Sequence, residues 1–363
     1  MLGYYGFKNS GDDALLLSII KELREKKNDI KLGVLSNEPE KTAKEHGVKA
    51  YKRNNPFSLL FALISSRMLL VGGGTLIQDK TSTKSLLYYL YVINAALLLG
   101  KKVMLYANGI GPIKEENKKL TTKILNKVNV ITLRDEISKQ ELDKLFVTKP
   151  RIKVCADPAF LIDVNQDLDI SALLEGYKIP KEKKYFCVSV RDTKKDASII
   201  DEISKVCDYI YNEYEMTPVF LPFQKARDIE VTEKIRKNIK APSAVFDTED
   251  GILPLLKFIS GAEFMIGMRL HSLIYSVVCN VPVVGIAYDP KVAGFMEYLG
   301  HKNYLDLDDV NEEKLIKLCK NSIENKEKIK QELKISCEGM RQKANQNATE
   351  AINLLEAMPK GKK

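Results

Sequence analysis

The sequence predicts an α/β protein made of two Rossmann-like domains that face each other across a cleft. At roughly 100 to 200 residues per domain, the 363 residues favour two domains. Short apolar runs bounded by turn residues alternate with longer segments of helical period, a pattern typical of parallel sheets covered by helices. A polar stretch over residues 163–184 separates two such series and is expected to be a linker.

The N-terminal domain is predicted over residues 1–165. Apolar residues between its first strands recur at spacings of three and four, as on one face of a helix. Its glycine-rich loop begins at Gly3, so only Met1 and Leu2 occupy the place of a preceding strand, and the first strand is expected to be missing. The predicted strands cover residues 30–35, 68–71, 103–107, 130–133 and 152–155.

The C-terminal domain is predicted over residues 185–345, followed by a C-terminal helix and a frayed lysine-rich tail over residues 346–363. Two apolar stretches, residues 57–70 and 86–99, are shorter than the roughly 20 residues that a membrane span needs. They are expected to be buried core elements. The strands predicted in this domain cover residues 185–190, 218–221, 244–246, 264–266 and 281–286.

Composition and charge narrow the class of protein. The chain is 45% hydrophobic and 29% charged, which excludes a disordered or collagen-like protein. The 57 Lys and Arg against 48 Asp and Glu give a net charge of +9, which favours anionic partners. Six cysteines without a C-x-x-C spacing favour buried thiols in a reducing cytoplasm. No signal peptide is visible, so secretion by that route is not expected. No cluster of metal ligands is visible either, and neither a metal nor a cofactor is expected.

The opening loop ends in a predicted helix that carries Asn9, Gly11, Asp12 and Asp13 near its start. Glycines permit close backbone approach to a ligand, and polar side chains there suit sugar hydroxyls. The two carboxylates occupy the positive end of the helix dipole, which disfavours a bare phosphate. Asp12 is either the helix N-cap or a residue with an acid/base or sugar-hydroxyl role.

A second glycine-rich segment follows the strand predicted at residues 68–71. Gly73, Gly74 and Thr75 lie at the carboxyl edge of the predicted sheet, where open α/β sheets bind ligands. Gln78 and Asp79 follow and suit hydrogen bonds to sugar hydroxyls, although surface turn residues are the simpler interpretation. A further turn at residues 108–112 is predicted to face the same cleft.

The strongest signal lies in the C-terminal domain. Arg269 and His271 begin a predicted helix after the strand at residues 264–266, and Lys291 follows the next strand. A cation at a helix start is unfavourable unless an anion binds there. A buried histidine satisfied by a backbone carbonyl is the alternative, but three such groups at one strand edge favour an anion-binding active site.

Two more arginines, Arg134 and Arg191, follow predicted strands. Arginines in loops more often form surface ion pairs. Their positions at strand ends nevertheless make both candidates to bind a carboxylate or a phosphate through two parallel hydrogen bonds.

Together these segments resemble the polysaccharide pyruvyl transferase family, with the CsaB-type branch as the nearest match. The resemblance covers nearly the whole chain. Its most specific part is Arg269-Leu270-His271 with a lysine 20 residues after the histidine. The other parts are the loop at residues 3–13, the segment at residues 72–79, Gly109-Ile110-Gly111-Pro112, Arg134-Asp135, Asp157-Pro158-Ala159 and Tyr288-Asp289-Pro290-Lys291.

The resemblance implies a glycosyltransferase-B-like fold and transfer of an enolpyruvyl unit from phosphoenolpyruvate to a sugar, which gives a pyruvate ketal and phosphate. The implied acceptor is N-acetylmannosamine on a polyprenyl diphosphate lipid, at the cytoplasmic face of an anionic membrane. Arg134, Arg191, Arg269 and Lys291 would hold phosphoenolpyruvate. His271 would be the general acid and base, with Asp12 or Asp13 as the base for the acceptor.

Two other functions fit the sequence less well. A nucleotide-sugar glycosyltransferase would share the two domains and the cationic clamp. A non-catalytic polymer-binding protein at the membrane surface would leave the cluster of Arg269, His271 and Lys291 unexplained. Nucleic-acid binding is not expected, because acidic residues are interleaved with the basic ones and no recognition motif is present.

Overall fold

A computed structural model describes residues 1–80, 82–164, 169, 171–177, 179, 184–193, 196–246 and 251–357. The chain divides into two compact units. Unit 1 comprises Met1–Ile162 and Gly339–Lys363, and unit 2 comprises Asp163–Glu338. Much of the predicted linker and the lysine-rich tail lie outside the described residues.

Unit 1 alternates strands and helices. Its strands are β1 Gly33–Ser36, β2 Lys49–Lys52, β3 Met68–Gly72, β4 Lys102–Asn108, β5 Val130–Leu133 and β6 Arg151–Val154. Its helices are α1 Ser10–Lys26, α2 Pro39–His46, α3 Pro56–Ile64, α4 Thr83–Leu98, α5 Glu115–Leu125 and α6 Glu136–Lys144, and a 3-10 turn covers Pro158–Leu161.

Leu2 joins the strands of unit 1 into one parallel sheet. It bridges Leu35 of β1 on one side and Val71 of β3 on the other, so the strand order is β2-β1-Leu2-β3-β4-β5-β6. Chain order runs outward from Leu2 to β1 and β2 and then returns to β3. The topological switch point, where such sheets bind ligands, therefore lies between Leu2 and β3.

The central strands of unit 1 are apolar because both faces of the sheet are covered. Six of the seven residues of β4 are buried, as expected for a parallel strand between two helical layers. The last part of the chain adds to one of these layers, where Ala348 and Ala351 pack in a cluster with Met104 and Tyr106.

Unit 2 holds a second parallel sheet, of order β12-β11-β10-β7-β8-β9. Its switch point lies between β7 and β10. The strands are β7 Tyr185–Ser189, β8 Thr217–Phe220, β9 Ala244–Val245, β10 Met265–Gly267, β11 Val283–Ala287 and β12 Tyr304–Asp306. The helices are α7 Ser171–Gly176, α8 Asp196–Tyr214, α9 Lys225–Asn238, α10 Ile252–Ser260, α11 Leu270–Val278, α12 Pro290–Tyr298 and α13 Glu312–Glu324, with a 3-10 turn at Leu307–Asp309. The 31-residue helix α14 Lys326–Glu356 begins in unit 2 and ends in unit 1.

The apolar stretches at residues 57–70 and 86–99 correct one expectation. The first stretch lies in α3 and the start of β3, and the second lies in and just after α4. Both helices have exposed apolar faces, where Phe57 is 83% and Leu98 is 78% exposed. Helical period cannot tell a buried face from an exposed one when both are apolar. Within the described part of the chain, no helix combines the length and apolar character required to span a membrane.

All six cysteines are free thiols, as the sequence predicts. Five are buried and Cys279 is partly exposed. Burial raises the pKa of Cys155 to about 11, so this thiol stays protonated at neutral pH and serves as a small apolar side chain.

Candidate active site

The opening loop places two carboxylates at the switch point of unit 1. Asn9 is the N-cap of α1, where its Oδ1 accepts a hydrogen bond of 3.1 Å from the amide of Gly11. Asp12 is therefore not the cap. It lies in the first turn, beside the second glycine-rich segment, because a Cβ atom placed on Gly74 would lie 3.2 Å from Asp12 Oδ1.

Asp12 has an environment that suits proton transfer. The pKa of Asp12 is raised to about 8, mainly by burial and in smaller part by the neighbouring charges of Asp13 and Asp157. Arg134 and Arg53 act in the opposite direction. A carboxyl group with a pKa near neutrality can give or take a proton at physiological pH.

Asp13 occupies different surroundings. Burial raises the pKa of Asp13 to about 6, and the largest charge effect on it comes from Lys41 of α2, which lowers it. Lys41 does not act on Asp12, whose principal opposing charge is Arg134. Of the two predicted bases, Asp12 thus has the more perturbed pKa and the closer relation to the strand-end arginine.

Arg134 is buried and connects the segments that the sequence singles out in unit 1. Its Nη2 donates to Thr75 Oγ1 at 3.0 Å, its Nη1 to Asp157 Oδ2 at 3.3 Å and its Nε to Asp135 Oδ2 at 3.2 Å. Asp157 and Asp135 also cap the 3-10 turn and α6. The guanidinium therefore connects the loops that follow β3, β5 and β6 at the carboxyl edge of the sheet.

The remaining predicted acceptor residues are placed by the glycine turn. Gly73 has φ +74° and donates its amide to the carbonyl of Tyr106 at 3.0 Å, so the turn packs against β4. Gln78 lies beside the next loop, since a Cβ on Gly111 would approach its Cβ to 2.6 Å. Asp79 is buried and accepts from the amide of Lys114 and the side chain of Asn117, which indicates a structural role for this residue.

Arg53 belongs to the same edge and was not predicted. It directly follows β2, and its guanidinium lies 5.0 Å from the ring centroid of Phe7 and 4.7 Å from that of Tyr88. Its Nη1 donates to the carbonyl of Gly3 at 2.8 Å. The Arg53 Nε and the Tyr89 hydroxyl are both buried without a hydrogen-bond partner among the described residues. Buried polar groups of this kind beside Asp12 favour a polar ligand at this edge.

Unit 2 gathers the other predicted residues at its own switch point. Arg191 follows β7, Arg269 and His271 follow β10, and Lys291 lies in the first turn of α12 after β11. These three strands are neighbours in the sheet, so their carboxyl ends share one edge. The structure thus brings four of the predicted residues to one edge in unit 2 and places Arg134 in unit 1.

Arg269 is not an isolated charge, because it forms a bidentate ion pair with Asp228. It is the N-cap residue of α11, and its Nε donates to Asp228 Oδ2 at 3.1 Å while its Nη2 donates to Asp228 Oδ1. Asp228 is fully buried and also accepts from the amide of Gln224 at 2.9 Å. The carboxylate fixes the plane of the guanidinium at the strand edge.

His271 and Arg191 follow strands β10 and β7 at the same edge of the sheet. His271 is half-buried in the first turn of α11, with its ring centroid 5.9 Å from that of Tyr275. The Arg191 guanidinium stacks over the Tyr288 ring at 4.2 Å, which connects the ends of β7 and β11. Asp289 caps α12 by accepting from the amide of Lys291. The edge therefore presents cations and a histidine on short, capped elements.

Two doubly wound parallel units, each with polar residues at its switch point, define a glycosyltransferase-B-like protein. Solved structures with this fold agree along nearly the whole chain. Alr3699/HepE of Anabaena, solved with UDP and glucose, has a TM-score of 0.66 at 13% identity and covers 98% of this chain and 99% of its own. UDP-GlcNAc 2-epimerase of Methanocaldococcus jannaschii has a TM-score of 0.65 at 17% identity and covers 95% and 96%. These likenesses confirm the predicted fold class of two Rossmann-like units.

Within this class, the chain belongs to the polysaccharide pyruvyl transferase family, whose family model matches residues 9–290. The amylovoran biosynthesis protein AmsJ of Erwinia amylovora is 24% identical over 263 residues, which are 66% of this chain. The chain spans 62% of the length of that relative. The family predicted from Arg269, His271 and Lys291 is therefore confirmed.

Proposed function

We propose that the chain transfers a pyruvyl group from phosphoenolpyruvate to a sugar in polysaccharide biosynthesis, with release of phosphate. The observation that carries the proposal is the placement of Arg191, Arg269, His271 and Lys291 at the switch point of unit 2. Phosphoenolpyruvate carries a carboxylate and a phosphate, and a site with fixed cations and one titratable group matches both charges.

The reaction requires one proton donor and an acceptor with two hydroxyls. His271 protonates the methylene carbon of phosphoenolpyruvate, which leaves an oxocarbenium-like centre at the adjacent carbon. One sugar hydroxyl attacks that centre and loses its proton to a base, which passes the proton to the departing phosphate. The second hydroxyl then closes the ketal and returns its proton to His271. Asp12, with its pKa near 8, is our candidate to accept the proton of an attacking hydroxyl.

The acceptor that we propose is N-acetylmannosamine at its 4 and 6 hydroxyls, on a disaccharide carried by polyprenyl diphosphate. This assignment follows the CsaB-type resemblance and would place the product in a secondary cell-wall polymer that anchors an S-layer. We propose that the reaction takes place at the cytoplasmic face of the plasma membrane. The net charge of +9 and the free thiols support that location.

Phosphate release tests the proposal. Purified protein is incubated with phosphoenolpyruvate and a panel of lipid-linked disaccharides, and in parallel with UDP-sugars. The expected result is phosphate release and a product heavier by one pyruvate ketal, with phosphoenolpyruvate only. Transfer of a sugar from a UDP-sugar would instead support a glycosyltransferase.

A histidine variant identifies the proton donor. His271→Ala is expected to lower turnover about 100-fold to 10,000-fold, the usual loss of a general acid, while phosphoenolpyruvate still binds. Isothermal titration and thermal melts serve as controls for binding and folding. Near-normal turnover in a folded variant would remove His271 from the mechanism.

A further inference from the structure

Helix α3 has an outward face made entirely of large apolar side chains. Phe57, Leu60, Phe61 and Ile64 follow one another at spacings of three, one and three, which is one face of a helix. They are 83%, 47%, 62% and 57% exposed. The opposite face, with Leu59 and Leu63, is buried in the core of unit 1. The helix is thus apolar on the solvent side as well as on the core side.

Helix α4 continues this surface. Leu87 and Tyr91 lie one turn apart and are 40% and 67% exposed, and Leu98 and Leu99 at the end of the helix are 78% and 40% exposed. Eight of the thirteen exposed large apolar side chains of the described residues therefore lie on α3 and at α4. Apolar residues scattered singly over a surface need no explanation, but a concentration of this kind marks an interaction site.

Two sets of contacts hold the helices side by side. At one end the Tyr88 hydroxyl of α4 donates to the carbonyl of Arg53, just before α3, at 3.1 Å. At the other end Lys101 Nζ donates to the carbonyls of Ile64 and Ser66 at 2.9 and 2.7 Å. The strands that follow the helices are paired as well, with Met68 opposite Lys102. The exposed faces of α3 and α4 therefore form one surface, here called the α3–α4 face.

Positive charge surrounds the α3–α4 face. Lys52 lies beside the first turn of α3, where its amide donates to Ser58 Oγ at 3.1 Å. Lys84 is exposed on α4, one turn before Leu87. Between Lys49 and Lys102 the sequence holds eight basic residues, of which Arg53 is buried at the switch point, and one acidic residue, Asp79, which is also buried. Helices α3 and α4 contain no Asp or Glu.

We propose that the α3–α4 face docks on an anionic lipid bilayer and inserts its phenylalanines among the acyl chains. An apolar strip edged by lysines matches both parts of such a surface, the hydrocarbon and the negative headgroups. A protein partner would need a complementary apolar patch rimmed by acidic residues. A second copy of this chain would place its own lysines next to the lysines of the first copy, which is unfavourable. A lipid surface is the partner whose chemistry this face fits without further components.

A single tryptophan reports the contact directly, because the chain has no natural one. Phe57→Trp is expected to shift its emission to the blue when vesicles of phosphatidylglycerol and phosphatidylcholine are added, and lipids brominated on the acyl chains should quench it. Ile335→Trp is the matched control, since Ile335 is 77% exposed on α14 and belongs to unit 2, whereas α3 and α4 belong to unit 1. Its emission should stay unchanged. Equal responses at the two positions, or none at Phe57→Trp, would overturn the proposal.

Vesicle co-sedimentation measures how much of the affinity this face supplies. The double variant Phe57→Ser, Ile64→Ser is expected to lower partitioning at least tenfold, because burying one such side chain is worth about tenfold or more. Ile335→Ser should have no effect. High salt should weaken vesicle binding of the parent only in part, because its apolar contact is not screened. It should abolish the residual vesicle binding of the double variant. Both positions are exposed, and thermal melts check that the variants fold.

Two results would assign the α3–α4 face to something else. Binding to phosphatidylcholine alone that equals binding to anionic vesicles would remove the role of the lysines. A dimer in sedimentation velocity that the double variant dissociates would make the face an interface between copies. Neither assay contains substrate. Failure of vesicle binding thus leaves the proposed transfer reaction intact, and failure of the transfer assay leaves the docking surface intact.

Discussion

Asp12 holds a carboxyl group whose charged form is disfavoured in the folded protein. Its pKa is raised from 3.8 to about 8, mainly by burial, so between these values the folded state binds a proton that the unfolded state has lost. Stability contributed by this residue therefore falls as the pH rises from about 4 to about 8 and is constant above that. Asp12→Asn stays neutral throughout. We expect it to be more stable than the parent by up to about 5 kcal/mol at high pH, equally stable near pH 4, and inactive.

Asp13→Asn is the matched control for this pH dependence. Burial raises the pKa of Asp13 to about 6, so the stability gap of its variant should stop growing at about that pH. The gap of Asp12→Asn should go on growing to about pH 8. Thermal melts at a series of pH values measure both. Gaps that level off at the same pH would show that the two carboxyls share one environment.

Arg269 and Asp228 form a pair that lysine cannot reproduce. Asp228 is fully buried and accepts two hydrogen bonds from the guanidinium, whereas a lysine ammonium keeps the charge but loses the planar fork. Arg269→Lys is expected to lower the free energy of unfolding by about 1.5–3 kcal/mol and to weaken use of phosphoenolpyruvate. Arg191→Lys, which disturbs a stack on Tyr288 instead, should change the melting temperature less. Thermal melts and steady-state kinetics on both variants measure this, and an unchanged melt of Arg269→Lys would mean that Asp228 does not stabilise the fold through it.

Sequence reasoning found the residues that follow recognised strands and missed those whose strand or partner was not recognised. Arg134 and Arg191 were singled out because they follow clear apolar strands. Arg53 follows β2, whose sequence Lys-Ala-Tyr-Lys carries too little apolar signal to be predicted as a strand. Asp228 lies in a strongly charged helix, and nothing in the sequence distinguishes it from its neighbours.

The glycine turn after β3 combines two constraints on one element. Gly73 has φ +74°, and a Cβ there would lie 2.7 Å from Leu15 Cδ1 and 3.0 Å from Leu15 Cβ, with Leu15 itself fully buried. Gly100 has φ +69° and open space around it. We expect Gly100→Ala to cost about 1–2 kcal/mol, from the left-handed backbone alone, and Gly73→Ala to cost about 1–3 kcal/mol more. Denaturant unfolding measures the difference, and equal costs would mean that α1 moves aside.

At the scale of elements, buried strands were predictable and surface helices were not. Strand β5 has its predicted bounds, β3 and β7 differ from theirs by one residue at one end, and β4 differs by one residue at each end. Such strands are predictable because a buried parallel strand is a continuous apolar run between turns. Helix α3 has the same composition as a core helix. Its exposure depends on which elements surround it, and no local pattern records that.

In the described part of the chain each hydrophobic cluster belongs to one unit, and α14 contributes to a cluster of unit 1 from the far end of the sequence. The clusters around β3 to β5 contain only residues of unit 1, and the cluster around β7, β10 and α8 contains only residues of unit 2. A long C-terminal helix was predicted from its period. Packing of this region, from about Asn311 to Met358, back against both domains is an expectation from the sequence, but the residues of the unit 1 cluster that it joins lie more than 200 positions away, and periodicity does not identify them.

Overpacking α14 tests whether these cores unfold separately. Ala348 is fully buried against the cluster that includes Met104 and Tyr106, so Ala348→Leu should cost about 1–3 kcal/mol. Asn345→Leu, at an exposed position on the same helix, should cost close to nothing. Hydrogen exchange of Ala348→Leu is expected to accelerate at the amides of β4 and to stay unchanged at those of β7, since the altered contacts belong to unit 1 alone. Equal acceleration in both strands would mean that one cooperative transition spans the chain, in which case the two sheets depend on each other for stability.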